Sequence, residues 1–287
     1  MTPSVLAVVV PAHNEERRIA ACLRSVHAAA AQAAPLPVVI VVTADACTDA
    51  TAPLAARGGA RVVEIRSRNV GAARAAGVDH ALELLADAGP DVWLAMTDAD
   101  TTVPAAWLTH QADWARRGYD AVLGTIRLAP TTTSALLVAR HDTDYFRTRR
   151  LSGAERVWEH PHVHGANLGV SAAAYLTVGG FAPLPTGEDR DLAARLSAAG
   201  HSIARTDQYP VHTAARLRGR APGGLADLLA SLHPAPCGME SARHRDPTPL
   251  DPVWLDARSQ ETRGSVRPEW PVRPSEACWC GEEMTLQ

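Results

Sequence analysis

Four short runs of β-branched and apolar residues, separated by stretches with helical spacing, fill the first hundred residues, and few architectures accommodate them. The runs are Val5 to Val10, Val38 to Val42, Arg61 to Ile65 and Val92 to Met96. Between them lie a helical stretch from Ile19 to Ala31, a polar turn leading into a helix that reaches about Arg57, and an Ala- and Leu-rich helix from Asn69 to Ala86. Continuously apolar runs suit strands covered on both faces. Strand alternating with helix implies an α/β fold with a mostly parallel central sheet flanked by helices. Such sheets bind ligands beyond the carboxyl ends of their strands. The unusual polar residues here, at 11 to 16, 43 to 49 and 97 to 101, all follow strands directly and are expected to converge on one edge.

The second half is less regular. It predicts a strand over Val122 to Leu128, a helix from about Ala135 to Arg150, a short strand over Asn167 to Ser171 leading into Tyr175 to Gly179, and a last helix from about Arg190 to Ala199. A catalytic domain is expected over residues 1–232. Residues 233–287 hold 8 of the 21 Pro, together with Trp254, Trp270 and Trp279. They read as a separate tail, disordered in part or wrapped on the body, because three Trp supply more apolar area than most disordered segments carry.

Composition removes several function classes. A net charge of -3 offers no basic footprint for a nucleic acid. All 28 basic residues are Arg, so Schiff-base chemistry and a phosphate-loop lysine are excluded. The five Cys form no C-x-x-C pair, which argues against a disulfide framework or a four-ligand zinc site and fits a reducing cytoplasm. No basic leader precedes the first strand and no apolar run approaches the ~20 residues of a bilayer span, so a soluble cytoplasmic chain is expected, with peripheral membrane contact left open. G-x-G-x-x-G, H-E-x-x-H and G-x-S-x-G are all missing, which leaves dinucleotide dehydrogenase, zincin and serine hydrolase readings without support.

Two acidic constellations carry the chemistry. In Asp98-Ala99-Asp100, carboxylates two positions apart on extended backbone point to one side and can share a hard cation, Mg2+ or Mn2+. Such a cation neutralises charge on a departing diphosphate; the plainer alternative is a solvated strand end. In Gly187-Glu188-Asp189-Arg190-Asp191 a carboxylate could act as general base, whereas acids favoured by the dipole of a helix start are the plainer reading, preferred for Asp191. Pro11-Ala12-His13-Asn14-Glu15-Glu16 also reads as a helix start with Asn14 as N-cap. His160, His162 and His164 at period two would share a strand face, a spacing compatible with zinc, although Pro161 weakens it.

Taken in order, Val9 to Glu16, Val42 to Thr51, Asn69-Val70-Gly71-Ala72-Ala73-Arg74, Asp98-Ala99-Asp100, Gly165-Ala166-Asn167, Gly179-Gly180-Phe181 and Gly187-Glu188-Asp189 resemble the signature blocks of family 2 glycosyltransferases with the GT-A fold. The resemblance covers about residues 5 to 220. It implies a Rossmann-like sheet and a nucleotide-sugar donor held by Pro11, Ala12, Asn14, Glu15, Asp45, Asn69, Gly71, Arg74, Asp98, Arg216 and Arg220. It places Glu15 near the ribose and Asp45 facing the base. A carboxylate there can accept from a uracil N–H, so a UDP-sugar is the first choice and a GDP-sugar stays open. The resemblance also implies Asp98, Asp100 and His212 at the metal, His164, Gly165 and Asn167 by the sugar and acceptor, and Asp189, beside Glu188, as base in an inverting transfer to an acceptor hydroxyl. Arg216 and Arg220 would meet the phosphates, where an Arg fork pairs two oxygens at once. A retaining enzyme of the glucosyl- or mannosyl-(phospho)glycerate synthase type, a nucleotidyltransferase and a non-catalytic nucleotide-sugar binder are the alternatives. The nucleotidyltransferase usually needs a basic N-terminal loop, and that position is acidic here.

Overall fold

The computed structural model describes residues 2–87, 91–129, 135–151 and 158–216. Their elements, in chain order, are β1 (Val5–Ala12), α1 (Ile19–Gln32), β2 (Val38–Asp45), α2 (Thr51–Arg57), β3 (Arg61–Ile65), α3 (Val70–Leu84), β4 (Val92–Met96) and β5 (Thr101–Thr102). Then follow α4 (Trp107–Arg116), β6 (Ala121–Ala129), α5 (Ala135–Arg147), β7 (Arg150–Leu151), β8 (Trp158–Glu159), a 3-10 turn (Gly165–Asn167), β9 (Leu168–Ser171), α6 (Ala172–Thr177), α7 (Glu188–Ala198) and β10 (Ile203–Ala214). The expected tail at 233–287 lies outside the described residues.

Eight strands form one sheet in the order β3-β2-β1-β4-β9-β6-β10-β5, and β7 pairs separately with β8. The first four in that order run parallel, and β9 lies antiparallel between β4 and β6. Alternate residues of β1 serve two cores. Leu6, Val8 and Val10 pack with Ile19, Leu23 and Val26 of α1, whereas Val5, Ala7 and Val9 share a cluster with Val78 and Ala81 of α3. This period-2 division is the geometry of a strand buried on both faces.

The chain winds outward from β1 through β2 to β3, then returns to place β4 on the other side of β1. That reversal opens a crevice beyond the carboxyl ends of β1 and β4. Pro11 fits its edge for a specific reason. Val9 O accepts from Thr97 N, so Val9 faces β4, and Pro11 two positions on faces the same way after the β4 pairing has ended at Met96. The missing Pro11 N–H therefore costs no ladder bond.

Besides the two-residue strands β5, β7 and β8 and the short helix α6, two longer elements were not expected from the sequence, α4 and β10. In β10 the pairing with β6 shifts between Thr206 and Val211, and Tyr209 within that bulge has φ 52. An extra loop of backbone erases the alternation on which a strand is recognised. The expected helix start at Asn14 is also corrected. Asn14 has φ 51, incompatible with a helix N-cap, and α1 begins at Ile19 with Arg18 as its cap. Asn14 Oδ1 instead accepts from Thr48 N at 2.8 Å, stitching the loop after β1 to the loop after β2.

Candidate functional site

The loops that follow β1, β2 and β4 meet α3, the 3-10 turn, the start of α7 and the end of β10. Arg74, in the second turn of α3, sits at the centre and is buried. Its Nη2 donates to Asp98 Oδ1 at 2.7 Å, its Nε to Glu188 Oε1 at 3.0 Å and its Nη1 to Gly165 O at 3.1 Å. Burial alone would push this guanidinium toward neutrality, but Asp98, Glu188 and Asp189 hold it charged. Burial pushes the Glu188 carboxyl up, against the pull of Arg74. Gly165 is required here, since a Cβ would lie 2.3 Å from Arg74 Nη2.

Gly165 also faces the expected base. Its N–H donates to Asp189 Oδ2 at 2.8 Å, and Asp189 Oδ1 accepts from Arg190 N at 2.7 Å. One residue thus joins Asp189 through its N–H and Arg74 through its C=O, and Arg74 joins Asp98. Asp191 pairs with Arg195 one turn along α7 at 2.6 Å, as expected of a helix-start acid.

Asp98 is one-third exposed, whereas Asp100 is largely covered. Burial first, and then Asp98, raise the Asp100 carboxyl to about 6. Its Oδ2 lies 2.9 Å from Arg216 Nη2, which also reaches Glu15 Oε1 and Oε2 at 2.5 and 2.7 Å. Cys22 donates its thiol to Asp98 O, and its pKa is pushed up by burial and then by Asp98, Asp100 and Glu15, so three carboxylates share one neighbourhood.

Among the described residues no group of three or more His, Cys, Asp or Glu side chains could hold a metal ion. A hard cation nevertheless fits the donor set. Mg2+ is commonly bound by one or two carboxylates, with substrate phosphates and water completing the shell, and Asp98 and Asp100 offer that pair. The guanidinium between Glu15 and Asp100 shows that the pocket accepts positive charge. His212 does not join it. In β10 it stands opposite Thr102 and is exposed, while Thr213, on the other face of the strand, brings its Oγ1 within 3.4 Å of Asp100 Oδ1.

Other expected residues hold the loops. Both oxygens of buried Asp45 are engaged by backbone, Oδ1 accepting from Ser67 N and Arg68 N and Oδ2 from Asn69 N, all within 2.8 Å. This is a carboxylate organising a turn rather than one turned to a base. Asn69 caps α3 through Ala72 N and donates Nδ2 to Pro183 O. Gly71 packs against that same loop, where a Cβ would lie 2.1 Å from Ala182 O. Asn167 is buried, its Oδ1 accepting from Trp107 Nε1 and its Nδ2 donating to Thr125 O. Pro11 and Ala12 are buried at the end of β1, and Arg220 lies outside the described residues.

The three expected histidines form a ladder, not a metal cage. Neighbouring rings are 5.8 and 6.0 Å apart, and Tyr145, which the sequence did not single out, stacks on His162 at 3.7 Å. His160 Nε2 lies 3.0 Å from Leu123 O and 3.1 Å from Thr206 O, so it carries the proton. His164 Nε2 and the Tyr145 hydroxyl are 2.9 Å apart. Burial lowers His160 to about 4 and His164 to about 3, so both are neutral near pH 7.

A crevice at the switch point of this sheet, lined by carboxylates from the loops after β1 and β4 and from the start of α7, defines the class of GT-A glycosyltransferases. Residues 7–178 match the model of glycosyl transferase family 2, and the chain belongs to that family. The mannosyltransferase PcManGT from Pyrobaculum calidifontis, solved in complex with GDP-Man and Mn2+, is similar at 20% identity and a TM-score of 0.56, covering 76% of this chain and 59% of that one. S. aureus TarS 1-349 in complex with UDP-GlcNAc is similar at 15% identity and a TM-score of 0.56, covering 79% of this chain and 66% of that one. Each aligned region is less than two thirds of the solved chain, and at these identities the likeness is one of fold. Comparison with curated proteins gave no match. Among the described residues no helix is long and apolar enough to cross a membrane.

Proposed function

We propose that this chain transfers a sugar from a UDP- or GDP-sugar to an acceptor hydroxyl with inversion, using a divalent cation at Asp98 and Asp100 and Asp189 as base. The bridge from Asp98 through Arg74 and Gly165 to Asp189 carries this reading. It fixes a cation-type carboxylate and a base-type carboxylate on either side of one buried guanidinium, so donor and acceptor would meet between them. The Asp45 carboxylate, which would have to face a uracil N–H for UDP to be preferred, is committed to the backbone N–H groups of Ser67, Arg68 and Asn69, so UDP and GDP are equal choices.

Asp189 takes the proton of the acceptor hydroxyl, whose oxygen bonds to the anomeric carbon. The bond from that carbon to the diphosphate oxygen breaks, and its electron pair leaves with the nucleotide. When bound, Mg2+ or Mn2+ supplies charge neutralisation to the departing diphosphate. Arg74 keeps Glu188 and the α7 start in place, and Gly165 orients Asp189 through its N–H. The anomeric configuration of the product, read by NMR once an acceptor is found, tests inversion, and retention would remove Asp189 from the role of base.

A further inference from the structure

Arg216 lies 201 residues from Glu15 in the chain, yet a single nitrogen of it contacts three carboxylate oxygens of Glu15 and Asp100. That use is unusual for Arg, whose fork ordinarily pairs a carboxylate through two nitrogens. Here Nη2 acts as a point charge between two acids, and Nε is buried without a hydrogen-bond partner among the described residues. The residue stands two positions past β10, whose pairing with β5 at His212 and Thr213 holds that end of the strand beside Asp100. Two carboxylates at one edge of the crevice repel unless a cation stands between them, and without donor this side chain supplies it.

We propose that Arg216 is a resident counter-cation that bars a divalent cation from Asp100 until a nucleoside diphosphate draws the guanidinium away. The idea rests on the donor-site reading above. The diphosphate offers Arg216 the oxygens its fork suits, and the freed carboxylate then takes the metal. Cation and nucleotide consequently bind with positive coupling, and each raises the affinity for the other by the same factor.

The test is Mn2+ binding to the full chain, followed by equilibrium dialysis, with no nucleotide, with UDP and with GDP, after subtraction of the Mn2+ that each nucleotide binds without protein. A latch closed nine-tenths of the time lowers apparent affinity about tenfold. Arg216→Gln should therefore bind Mn2+ alone about tenfold more tightly than the unaltered protein, while Arg216→Lys, which keeps the charge, stays close to it. In the unaltered protein, UDP or GDP should tighten Mn2+ by at least that factor, a readout that needs no variant to fold. Equal Mn2+ affinity for Arg216→Gln and the unaltered protein, with nucleotide still tightening both, overturns the latch and leaves the donor site standing. If no form takes up Mn2+ even with UDP or GDP, the donor-site reading fails and the latch falls with it.

Discussion

Arg74 and Glu188 form a buried ion pair, 3.0 Å between Nε and Oε1, that ties the second turn of α3 to the first residue of α7. The pair sits among Asp98, Gly165 and Phe181, whose ring centroid is 5.9 Å from the guanidinium carbon. Removing Arg74 strands the buried Glu188 carboxylate, at a cost of about 3–5 kcal/mol, whereas removing Glu188 leaves Arg74 its ion pair with Asp98. Arg74→Met should lower stability by about that amount in urea unfolding. Glu188→Gln, which keeps an acceptor for Nε, should cost less. Equal and small effects from both would mean that the pair is not buried as described.

Asp45 gives the plainest contrast between two roles for one carboxylate. If it organises the loop at residues 67 to 69, Asp45→Asn turns an amide onto backbone N–H groups and weakens charged hydrogen bonds of about 1.5–3 kcal/mol each. The expected result is a lower melting temperature with the ratio of UDP to GDP affinity unchanged. A changed ratio with unchanged stability would restore Asp45 to the base.

Acid should destabilise the fold through the histidine ladder. His160 and His164 have folded values of about 4 and about 3, below the 6.5 of the free side chain. The unfolded chain therefore binds more protons below 6.5, and stability is complete above that pH and falls as pH drops toward 4. His160→Gln should flatten this acid limb in melting curves taken from pH 7 to pH 4.5. An acid limb of unchanged slope would place the titration elsewhere.

Asp189→Asn keeps an oxygen for the Gly165 N–H but loses the basic site. Donor binding, followed by thermal shift, should survive, while turnover falls by roughly two to four orders of magnitude. Near-normal turnover in a folded variant would remove Asp189 from the chemistry.

The parallel half of the sheet was legible because β1, β2 and β4 are continuous apolar runs, and β3 and β4 have the bounds expected of them. α4 escaped because its buried face includes His110 and Gln111, which blur an apolar stripe. β10 escaped because Arg205, Asp207 and Pro210 interrupt it and a bulge shifts its register. The site was legible as a set of blocks, not as contacts. Nothing local marks Arg74 as buried, since its partner Glu188 is 114 residues away. The outward turn of His212 follows from strand alternation, which could be read only once β10 itself had been recognised.

The central claim is tested most directly by nucleotide release from a panel of UDP- and GDP-sugars with Mn2+, comparing the unaltered protein with Asp100→Asn. The account predicts release from at least one donor that is lost in EDTA and falls at least about a hundredfold in Asp100→Asn, the scale of one strong electrostatic contact to the transition state. Release that persists undiminished in EDTA and in Asp100→Asn, or no release and no thermal stabilisation by any donor, would contradict it.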